Sequence, residues 1–428
     1  MKGRSRHFES LRDHCQAIPL IDCHDHTLEP GPTYADPIHA ICSGYFRSDL
    51  CSALSDAEMQ ALEDRRLSLE QRWPVLAKAW RRTCHTGYAQ VTRRMLKRFY
   101  DVETLTLEAL EGMADRLLDL SNASRFDAIL AEAHIAARLA NTHPDPARVL
   151  DGTLRLAPRA RLVIPLPEYH RIKSAEEVHQ HVACLGRTVT SLDEYLAACR
   201  EIFEGFKRFG AVTFKDQSAY SRTLAYGNPT RADAEAVFNW FMEDPRRSAS
   251  YPDGVKPLDD FLFHQFMRMA RDMALPVQIH TGHMAGIRND IVKTNAAGLT
   301  RVLELHPDVQ FDLFHANWPF GGELMFLGKN FPNVAIDFCW ANIIDPIYCQ
   351  RLFQQALSAM PHGKVHGYGS DYGGQADRAW AHAAIARDNV AIALSELVDI
   401  DYIGLDDARQ IARMWLFDNA NEFFRLGL

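Results

Sequence analysis

The stretch that decides the fold is PLIDCHDHTL, residues 19–28, in which a short apolar run ends abruptly in Asp22-Cys23-His24-Asp25-His26. Side chains alternate between two faces along a β-strand, so His24 and His26 point to one side while Asp25 points to the other. On a helix the two histidines would lie about 200° apart around the axis. The run predicts a buried strand that presents a metal-chelating pair at its carboxyl end. The alternative is that one histidine caps a loop and the other is hydrogen-bonded in the core.

The same rhythm of a short β-like run followed by an amphipathic helical stretch recurs along the chain. The strand candidates are residues 20–23, 135–140, 160–166, 211–215, 276–280, 309–315, 334–340 and 364–370. The helical stretches include residues 191–209, 258–273 and 379–397. Strands that alternate with helices in this way predict a parallel sheet closed into a (β/α)8 TIM barrel. The second candidate, 135–140, could instead continue the preceding helix.

One interval breaks this rhythm, because residues 27–126 separate the first strand from the second, far more than a loop needs. This interval is rich in Leu, Ala, Arg and Glu and predicts several helices, for example over residues 56–69 and 71–82. We interpret residues 1–26 and 127–428 as the barrel and residues 27–126 as an α-helical insertion that covers its mouth. A smaller insertion over 219–258 contains the exposed loop EDPRRSASYPDG.

The bulk composition limits the partners. The chain has 47 basic and 55 acidic residues and no basic block with interleaved aromatics, which argues against nucleic-acid binding. No apolar run reaches the length of a membrane span, and the N-terminal basic residues lack the apolar stretch of a secretory signal. The nine cysteines are scattered without Cys-x-x-Cys spacing, as in proteins with reduced thiols. We expect a cytoplasmic protein that acts on a small molecule, either as a monomer or as a homo-oligomer.

Titratable side chains also stand at the ends of other predicted strands. His280 ends the fifth strand in VQIHTGH, His315 ends the sixth in FDLFHANW, and Asp371 ends the eighth in HGYGSDYGG. All carboxyl ends of barrel strands meet at one mouth, where the active site sits. Histidines and a carboxylate that converge there are ligands typical of zinc. Each residue alone could be a core histidine or a helix cap, but their shared position favours a metal centre.

This order of motifs resembles the amidohydrolase superfamily: His-x-His after strand one, His after strands five and six, and Asp after strand eight. Five blocks also resemble its amidohydrolase-2 branch, namely FKDQSAYSRTLAY, IHTGH, LFHANWPF, NFPNVAIDFCWA and YGSDYGG. That branch includes relatives of uronate isomerase and the amidohydrolase-like part of certain glutamine-synthetase fusions. The resemblance runs along residues 19–26 and 127–428.

The resemblance implies a ligand set and a catalytic base. It makes His24, His26 and Asp371 metal ligands, with His280 as the fourth ligand. We expect one divalent metal, which is zinc or, as the alternative, manganese. The resemblance also makes Asp371 the acceptor of the proton of the attacking water, whose pKa a bound zinc lowers to about 7. His315 would either bind a second metal or form hydrogen bonds with the reacting oxygen.

Lys215, at the end of the fourth strand in AVTFKDQ, allows three interpretations. In many members of the superfamily a lysine at this position is carboxylated and bridges two metals. It could instead be an ammonium that pairs with a substrate carboxylate or oxyanion, or a surface lysine that starts a loop. Because Tyr220 and Arg222 nearby suit an anionic substrate, we expect a protonated Lys215 beside a single metal.

Further side chains follow strands four to eight, in loops that should face the mouth. The substrate-facing candidates are Tyr220, Arg222, His283, Arg288, Trp318, Trp340 and Arg378. Arginine recognises a carboxylate with two parallel hydrogen bonds, which lysine cannot form. Arg288 in GIRND also resembles a segment of uronate isomerases. For each of these residues the alternative is rim packing or surface charge.

These residues predict a metal-dependent hydrolase that cleaves an amide, ester or lactone bond of a small carboxylate-bearing molecule. The metal, together with His315 or Lys215, would stabilise the oxyanion. A second hypothesis is a uronate-isomerase-like proton transfer or a non-oxidative decarboxylation at the same site. A third is a metal-binding module without catalysis. Since barrels host many chemistries, the fold cannot choose among them.

Overall fold

The computed structural model describes residues 5–428, and within this range eight parallel strands form one sheet in the order β1 to β8. The strands are β1 Leu20–Asp25, β2 Ile135–Ala140, β3 Ala160–Pro165, β4 Thr213–Asp216, β5 Val277–Ile279, β6 Phe311–Leu313, β7 Val334–Asp337 and β8 Val365–His366. Backbone hydrogen bonds from Cys23 to Tyr368 (3.1 Å) and from Asp371 to His24 (2.8 Å) join β1 to the segment that begins with β8. The predicted (β/α)8 barrel is confirmed, and all eight strands lie within or across the predicted runs.

Helices surround this sheet. Before β1 and between β1 and β2 lie α1 Phe8–Ala17, α2 Pro37–Cys42, α3 Phe46–Ala53, α4 Asp56–Glu63, α5 Leu69–Thr83, α6 Gly87–Tyr100, α7 Leu107–Met113 and α8 Ala123–Glu132. Between β2 and β6 lie α9 Pro146–Leu150, α10 Pro167–His170, α11 Ala175–Val182, α12 Leu192–Phe209, α13 Arg231–Glu243, α14 Lys256–Asp272 and α15 Thr300–Leu305. After β6 come α16 Gly321–Asn330, α17 Ala341–Ile344, α18 Pro346–Ala359, α19 Ala376–Asp399, α20 Leu405–Arg413 and α21 Asn419–Phe423.

Several strands, β6 and β8 among them, are shorter than predicted at their carboxyl ends. The run predicted over 309–315 pairs as a strand only to Leu313, and the run predicted over 364–370 only to His366. Beyond them, His315, Trp340 and Asp371 have left-handed backbones, with φ of 59°, 59° and 60°. Left-handed residues cannot continue a β-ladder, and such backbone strain concentrates at functional sites. The chain therefore turns at the mouth, where the predicted site residues stand.

The helices of the 27–126 interval begin at side-chain caps. Ser55 accepts the backbone N–H of Glu58 at the start of α4, and Ser68 accepts that of Gln71 at the start of α5. Such caps satisfy the free N–H groups of a helix start. The single helix predicted over 56–69 is therefore two pieces, because α4 ends at Glu63 and Ser68 starts the next helix.

Residues between these helices contact the segment that follows β8. The Tyr34 hydroxyl donates to Asp377 at 3.0 Å, and the Tyr45 hydroxyl donates to the backbone carbonyl of Asp371. The Tyr45 ring packs on Trp340, with ring centroids 4.4 Å apart. The insertion thus reaches the residues at the carboxyl ends of β7 and β8. Its division from the barrel as a separate unit stays our interpretation.

Two predicted absences can be compared with the structure. No helix within residues 5–428 has the length and apolar content needed to cross a membrane. All nine cysteines belong to the described residues, and all nine are free thiols.

In the smaller predicted insertion, over 219–258, the chain forms α13, and the loop at 244–255 follows it as predicted.

Candidate metal centre

Three side chains from the ends of β1 and β8 surround one point at the mouth. His26 Nε2 lies 3.0 Å from Asp371 Oδ1, and His24 Nε2 lies 3.6 Å from the same oxygen. One ligand atom from each of the three residues lies within 4.8 Å of the others. A tetrahedral zinc ion with bonds of about 2.0–2.1 Å separates its ligand atoms by about 3.3 Å. The observed separations therefore fit a single ion.

Hydrogen bonds to backbone carbonyls orient the histidines. His26 Nδ1 lies 2.9 Å from the carbonyl oxygen of Asn141, and His315 Nδ1 lies 3.1 Å from that of Cys339. A ring nitrogen bonded to a carbonyl must carry the proton, so Nε2 of each ring keeps its lone pair. Histidines that bind metals are fixed in this way by an outer partner.

His280, the residue directly after β5, continues this pattern. Its Nε2 donates to the carbonyl of His283 at 2.8 Å, which leaves the lone pair on Nδ1. That Nδ1 lies 3.1 Å from His315 Nε2, so two lone pairs face each other. Two acceptors at this distance repel unless a positive charge lies beside them. The donor set fits a cation, and His280 and His315 both belong to its surroundings.

The protonation of the four histidines suits the same conclusion. Burial lowers the pKa of His24, His280 and His315 well below the ordinary 6.5, and the neighbouring Lys215 and imidazoles lower it further. Neutral imidazole is the form that binds a metal. Burial also lowers the pKa of His26, but the hydrogen bond and charge of Asp371 outweigh it and raise the pKa overall. Positive charge is therefore stabilised best between His26 and Asp371.

The backbone holds Asp371 firmly. Its N–H donates to the carbonyl of His24 at 2.8 Å, and its own carbonyl accepts the hydroxyl of Tyr45. The glycines after it are needed for the tight turn, because a Cβ on Gly374 (φ 75°) would lie 2.4 Å from the carbonyl oxygen of Gly31. Asp371 Oδ2 faces His315 Nε2 at 3.8 Å. One carboxylate therefore reaches both sides of the centre.

Lys215 is completely buried in the barrel below this centre. Its Nζ lies 3.4 Å from the centroid of the Phe314 ring and has no hydrogen-bond partner within residues 5–428. Burial lowers its pKa to about 8, although nearby acidic groups, Asp371 among them, act in the opposite direction. The surface-lysine interpretation is therefore wrong. The choice between ammonium and carboxylated lysine stays a prediction.

A cavity of about 530 Å³ opens beside the metal centre. His26 and Tyr220 line the side next to the metal, and His143, Arg171 and Lys173 line other parts of the wall. The Tyr220 ring lies 4.8 Å from that of His280. The structure thus brings the predicted Tyr220 to the site, and the volume is that of a small-molecule pocket.

Arg171 is one of several residues of this cavity that sequence reasoning missed. Lys173 Nζ lies 3.7 Å from Glu177, and His143 pairs with Glu168. By contrast, the partly buried Arg171 side chain forms no hydrogen bond or ion pair with any residue in the described part of the chain. It follows β3 directly after α10, so the strand-end rule could have found it had the third strand been searched. Its free guanidinium is the group best placed to receive an anion.

The structure places Arg222 elsewhere than predicted. Its guanidinium is fully buried and pairs with Asp259 at 2.8 Å and with Asp260 at 2.6 Å. Its Nε donates to the carbonyl of Thr223 at 3.0 Å, and the guanidinium stacks over the Tyr226 ring at 3.8 Å. The guanidinium is thus paired with two carboxylates and completely buried, out of reach of a bound substrate.

Arg378 and Arg288 also differ from their predicted places. Arg378 is fully buried and donates to the carbonyl of Ala40 and, at 3.0 Å, to the hydroxyl of Ser43, so it ties α19 to the insertion. The Arg288 side chain is 76% exposed and lies 3.4 Å from Asp56 at the start of α4. Neither arginine lines the cavity beside His26. A sequence cannot show which loop arginines find partners far along the chain.

The predicted aromatic residues form a cluster behind the histidines. The His283 ring lies 5.3 Å from Trp318 and 4.9 Å from Trp340. Trp340 also lies 5.3 Å from the His315 ring, and its buried Nε1 has no partner among the residues that the structure describes. The cluster shields the metal centre from water on one side. It leaves the Trp340 N–H donor without a partner in the described part of the chain.

Comparison with known sequences supports the predicted family. Residues 246–426, which contain His280, His315 and Asp371, match the family model described as amidohydrolase. Protein fluG of Emericella nidulans is 24% identical over 259 residues, which cover 54% of this chain and 29% of that protein. The chain thus spans less than a third of the length of this curated relative.

Solved structures share the fold along the whole chain. A uronate isomerase of Thermotoga maritima has a TM-score of 0.80 at 17% identity and covers 99% of both chains. A glucuronate isomerase of Caulobacter crescentus has a TM-score of 0.72 at 16% identity over 99% of this chain and 94% of its own. A Lactobacillus casei protein provisionally described as a metal-dependent hydrolase has a TM-score of 0.69 at 18% identity over 99% of both chains. At these identities the likeness shows a common fold. The match over 246–426 confirms the predicted resemblance to the amidohydrolase family, and the solved structures share the barrel fold.

Proposed function

We propose that the protein is a metal-dependent hydrolase that uses water to cleave an amide, ester or lactone bond of a small, carboxylate-bearing substrate. One observation carries the proposal. Ligand atoms of His24, His26 and Asp371 lie within 4.8 Å of one another at the barrel mouth, beside the oriented imidazoles of His280 and His315. The cavity next to them opens on the same histidine, His26.

His24, His26, His280 and Asp371 would hold one divalent ion. Nitrogen and carboxylate ligands suit zinc, with manganese as the alternative. Bound there, the ion supplies a Lewis acid that polarises the substrate carbonyl and acidifies water. The barrel residues around it decide where protons go and how the substrate lies.

Asp371 is the proposed proton acceptor. Its Oδ1 faces His26 and its Oδ2 faces His315, so the carboxylate spans the centre from the ligand side to the reaction side. A carboxylate in this position can take the proton of the attacking water and later pass it to the leaving group. His315 would position the reacting oxygen, and the buried ammonium of Lys215 would add a positive field that stabilises the oxyanion.

The free guanidinium of Arg171 supplies the proposed recognition of the substrate carboxylate. Its planar fork can donate two parallel hydrogen bonds to one carboxylate. Tyr220 lies on the metal side of the same cavity, so a substrate that reaches both groups presents its scissile bond to the centre. Among the predicted substrate-binding residues, we retain Tyr220 and His283, with Trp318 and Trp340 as the apolar wall.

The other predicted properties belong to the same proposal. Nine unpaired cysteines in the described residues support a cytoplasmic location. The substrate is expected to be a small anion rather than a nucleic acid. A homo-oligomer is compatible with this site, since all proposed residues come from one chain.

Isomerisation is the second candidate, because two of the structural relatives named above are uronate isomerases whose fold extends over nearly the whole chain. The same residues would then move a proton between adjacent carbons of an open-chain sugar acid. Hydrolysis consumes a water molecule and isomerisation does not, so the fate of water oxygen separates them.

The test loads the metal-stripped protein with zinc or manganese and offers it N-acyl amino acids, lactones, esters and uronates in ¹⁸O-labelled water. Esters and amides without a carboxylate serve as matched controls. We expect ¹⁸O in the new carboxyl group and a preference for carboxylate-bearing substrates. Interconversion of uronates without ¹⁸O in a carboxyl group would establish the isomerase instead. A metal-loaded protein that turns over none of the substrates would favour the non-catalytic module.

A further inference from the structure

Apart from the proposed ligands at the mouth, three further buried side chains converge from three neighbouring strands. They are Cys23 on β1, Asp337 on β7 and His366 on β8, and each is at most 1% exposed. One ligand atom from each lies within 4.8 Å of the others. Asp337 and His366 are register partners in the β7–β8 pair, and the Cys23 N–H donates to the Tyr368 carbonyl just beyond β8. The sheet itself therefore fixes these three side chains side by side.

Two ligand atoms of this group are unsatisfied. His366 Nδ1 lies 3.0 Å from Asp312 Oδ1 and donates to it, so His366 Nε2 carries the lone pair. Within residues 5–428, that Nε2 and Asp337 Oδ2 are both buried without a hydrogen-bond partner. Buried polar atoms normally have partners. A carboxylate behind an imidazole is also the arrangement that orients many metal-binding histidines.

The charges of the buried side chains around Cys23, Asp337 and His366 also favour a bound cation. Asp312 and Asp337 are two completely buried carboxyl groups, and Lys215 is one completely buried amine. When Asp312 and Asp337 are both ionised, these buried side chains have excess negative charge, and an ionised Asp22 would increase it. Gln278 donates to Asp312 at 3.2 Å, but its own buried Oε1 has no partner in the described chain. A divalent cation would offset the charge and satisfy the free acceptors.

We propose that Cys23, Asp337 and His366 bind a second divalent ion, of the zinc type, in a structural site distinct from the metal centre at the mouth. Thiolate, carboxylate and imidazole are all zinc ligands. Tetrahedral coordination needs ligand atoms about 3.3–3.6 Å apart, so binding draws the three together by no more than about 1.5 Å. The rings of Phe423 and Phe424, at the end of α21, lie 4.9 and 5.5 Å from the ring of His366 and cover this side of the proposed site.

A bound proton is the alternative to a metal ion as the group that neutralises these buried carboxylates. Burial and the neighbouring Asp312 raise the pKa of Asp337 well above its ordinary value, which would let that carboxyl keep a proton. A protonated carboxyl removes the excess charge without any metal. The two explanations differ in whether sulfur is bound to a metal, and this can be measured without any assay of hydrolysis.

The first experiment loads the full-length, metal-stripped protein with cobalt and measures the metal content and the near-ultraviolet charge-transfer band of a cobalt–thiolate bond. We expect two equivalents of metal per chain and a thiolate band. Cys23→Ser should lose the band and one equivalent, while Cys199→Ser, which changes a buried cysteine of α12, should keep both. Cys339→Ser should also keep the band, because Cys339 lies with His315 and Asp371 at the mouth.

The second measurement needs no change at Cys23, in case that variant fails to fold. X-ray absorption of the zinc-loaded wild-type and Cys339→Ser proteins should show a sulfur shell at about 2.3 Å in both. The proposal is overturned if the wild type has one equivalent of metal and no sulfur shell. It is equally overturned if the shell or the band disappears in Cys339→Ser and persists in Cys23→Ser.

Discussion

Replacing Arg222 by methionine removes a guanidinium that the barrel holds on several sides. Arg222 is completely buried, its terminal nitrogens lie 2.8 Å from Asp259 and 2.6 Å from Asp260, and its Nε donates to the Thr223 carbonyl. The sequence alone suggests a substrate-binding arginine at this position, whereas these contacts predict a purely structural one. The two roles can be separated, because one affects the stability of the fold and the other affects the Michaelis constant.

The expected size of the effect follows from the contacts. Removing one partner of a buried ion pair leaves the other charge unpaired and costs about 3–5 kcal/mol. Asp259 keeps its hydrogen bond to His170, and Asp260 keeps its ion pair with Lys256, so the lower end of this range applies. Methionine has similar length and fills most of the space, which keeps the cavity contribution small. We expect Arg222→Met to lower the free energy of unfolding by about 3 kcal/mol.

The assay combines urea unfolding, followed by tryptophan fluorescence, with steady-state kinetics on the best substrate of the screen. Arg171→Met is the matched control, because Arg171 lines the cavity and has no partner in residues 5–428. It should leave stability unchanged and raise KM at least about tenfold, the loss expected when a charge-assisted hydrogen bond of about 1.5–3 kcal/mol is removed. At temperatures where both variants are folded, Arg222→Met should keep the wild-type KM. An Arg222→Met protein that is as stable as the wild type and binds substrate more weakly would refute the reasoning.

Three further predictions test the centre and its surroundings. His24→Ala and Asp371→Ala should each abolish metal binding at the mouth and activity while circular dichroism shows a folded barrel; wild-type metal content by elemental analysis would contradict the ligand assignment. Lys215→Ala should leave the metal content unchanged, and wild-type protein prepared with ¹³C-bicarbonate should give no carbamate signal; loss of one metal equivalent in the variant would instead indicate a carboxylated lysine. Burial lowers the pKa of His170, but the charge of Asp259 and further carboxylate contacts raise it overall from 6.5, so its stabilising contribution is complete below pH 6.5 and is lost as pH rises through the higher folded pKa. His170→Gln should therefore show a flatter decline of unfolding free energy with rising pH, and an unchanged slope would contradict this.

Local patterns were enough to predict the barrel and the residues at its mouth. A buried parallel strand is a continuous apolar run, and several such runs in this chain end at a histidine or another polar residue. Once the strands are parallel, their carboxyl ends must share one mouth, so His24, His26, His280, His315 and Asp371 come together whatever the details of packing. The positions of these residues at the ends of the apolar runs are visible in the sequence, because the geometry of a strand depends only on residues two or three positions apart.

The contacts that assign roles depend on residues far apart in the chain. The tautomer of His26 is set by a carbonyl 115 residues away, and the pairing of Arg222 by carboxylates on α14. Whether the Arg171 side chain finds a partner is likewise decided only in the folded barrel. Cys23 also comes close to Asp337, more than 300 residues later in the chain, only when the sheet closes. Hydrogen bonds and ion pairs act over about 3 Å, so a partner is decided by strand register and by helix packing. No local sequence pattern shows which partner a residue has, because the partners are set by the tertiary structure.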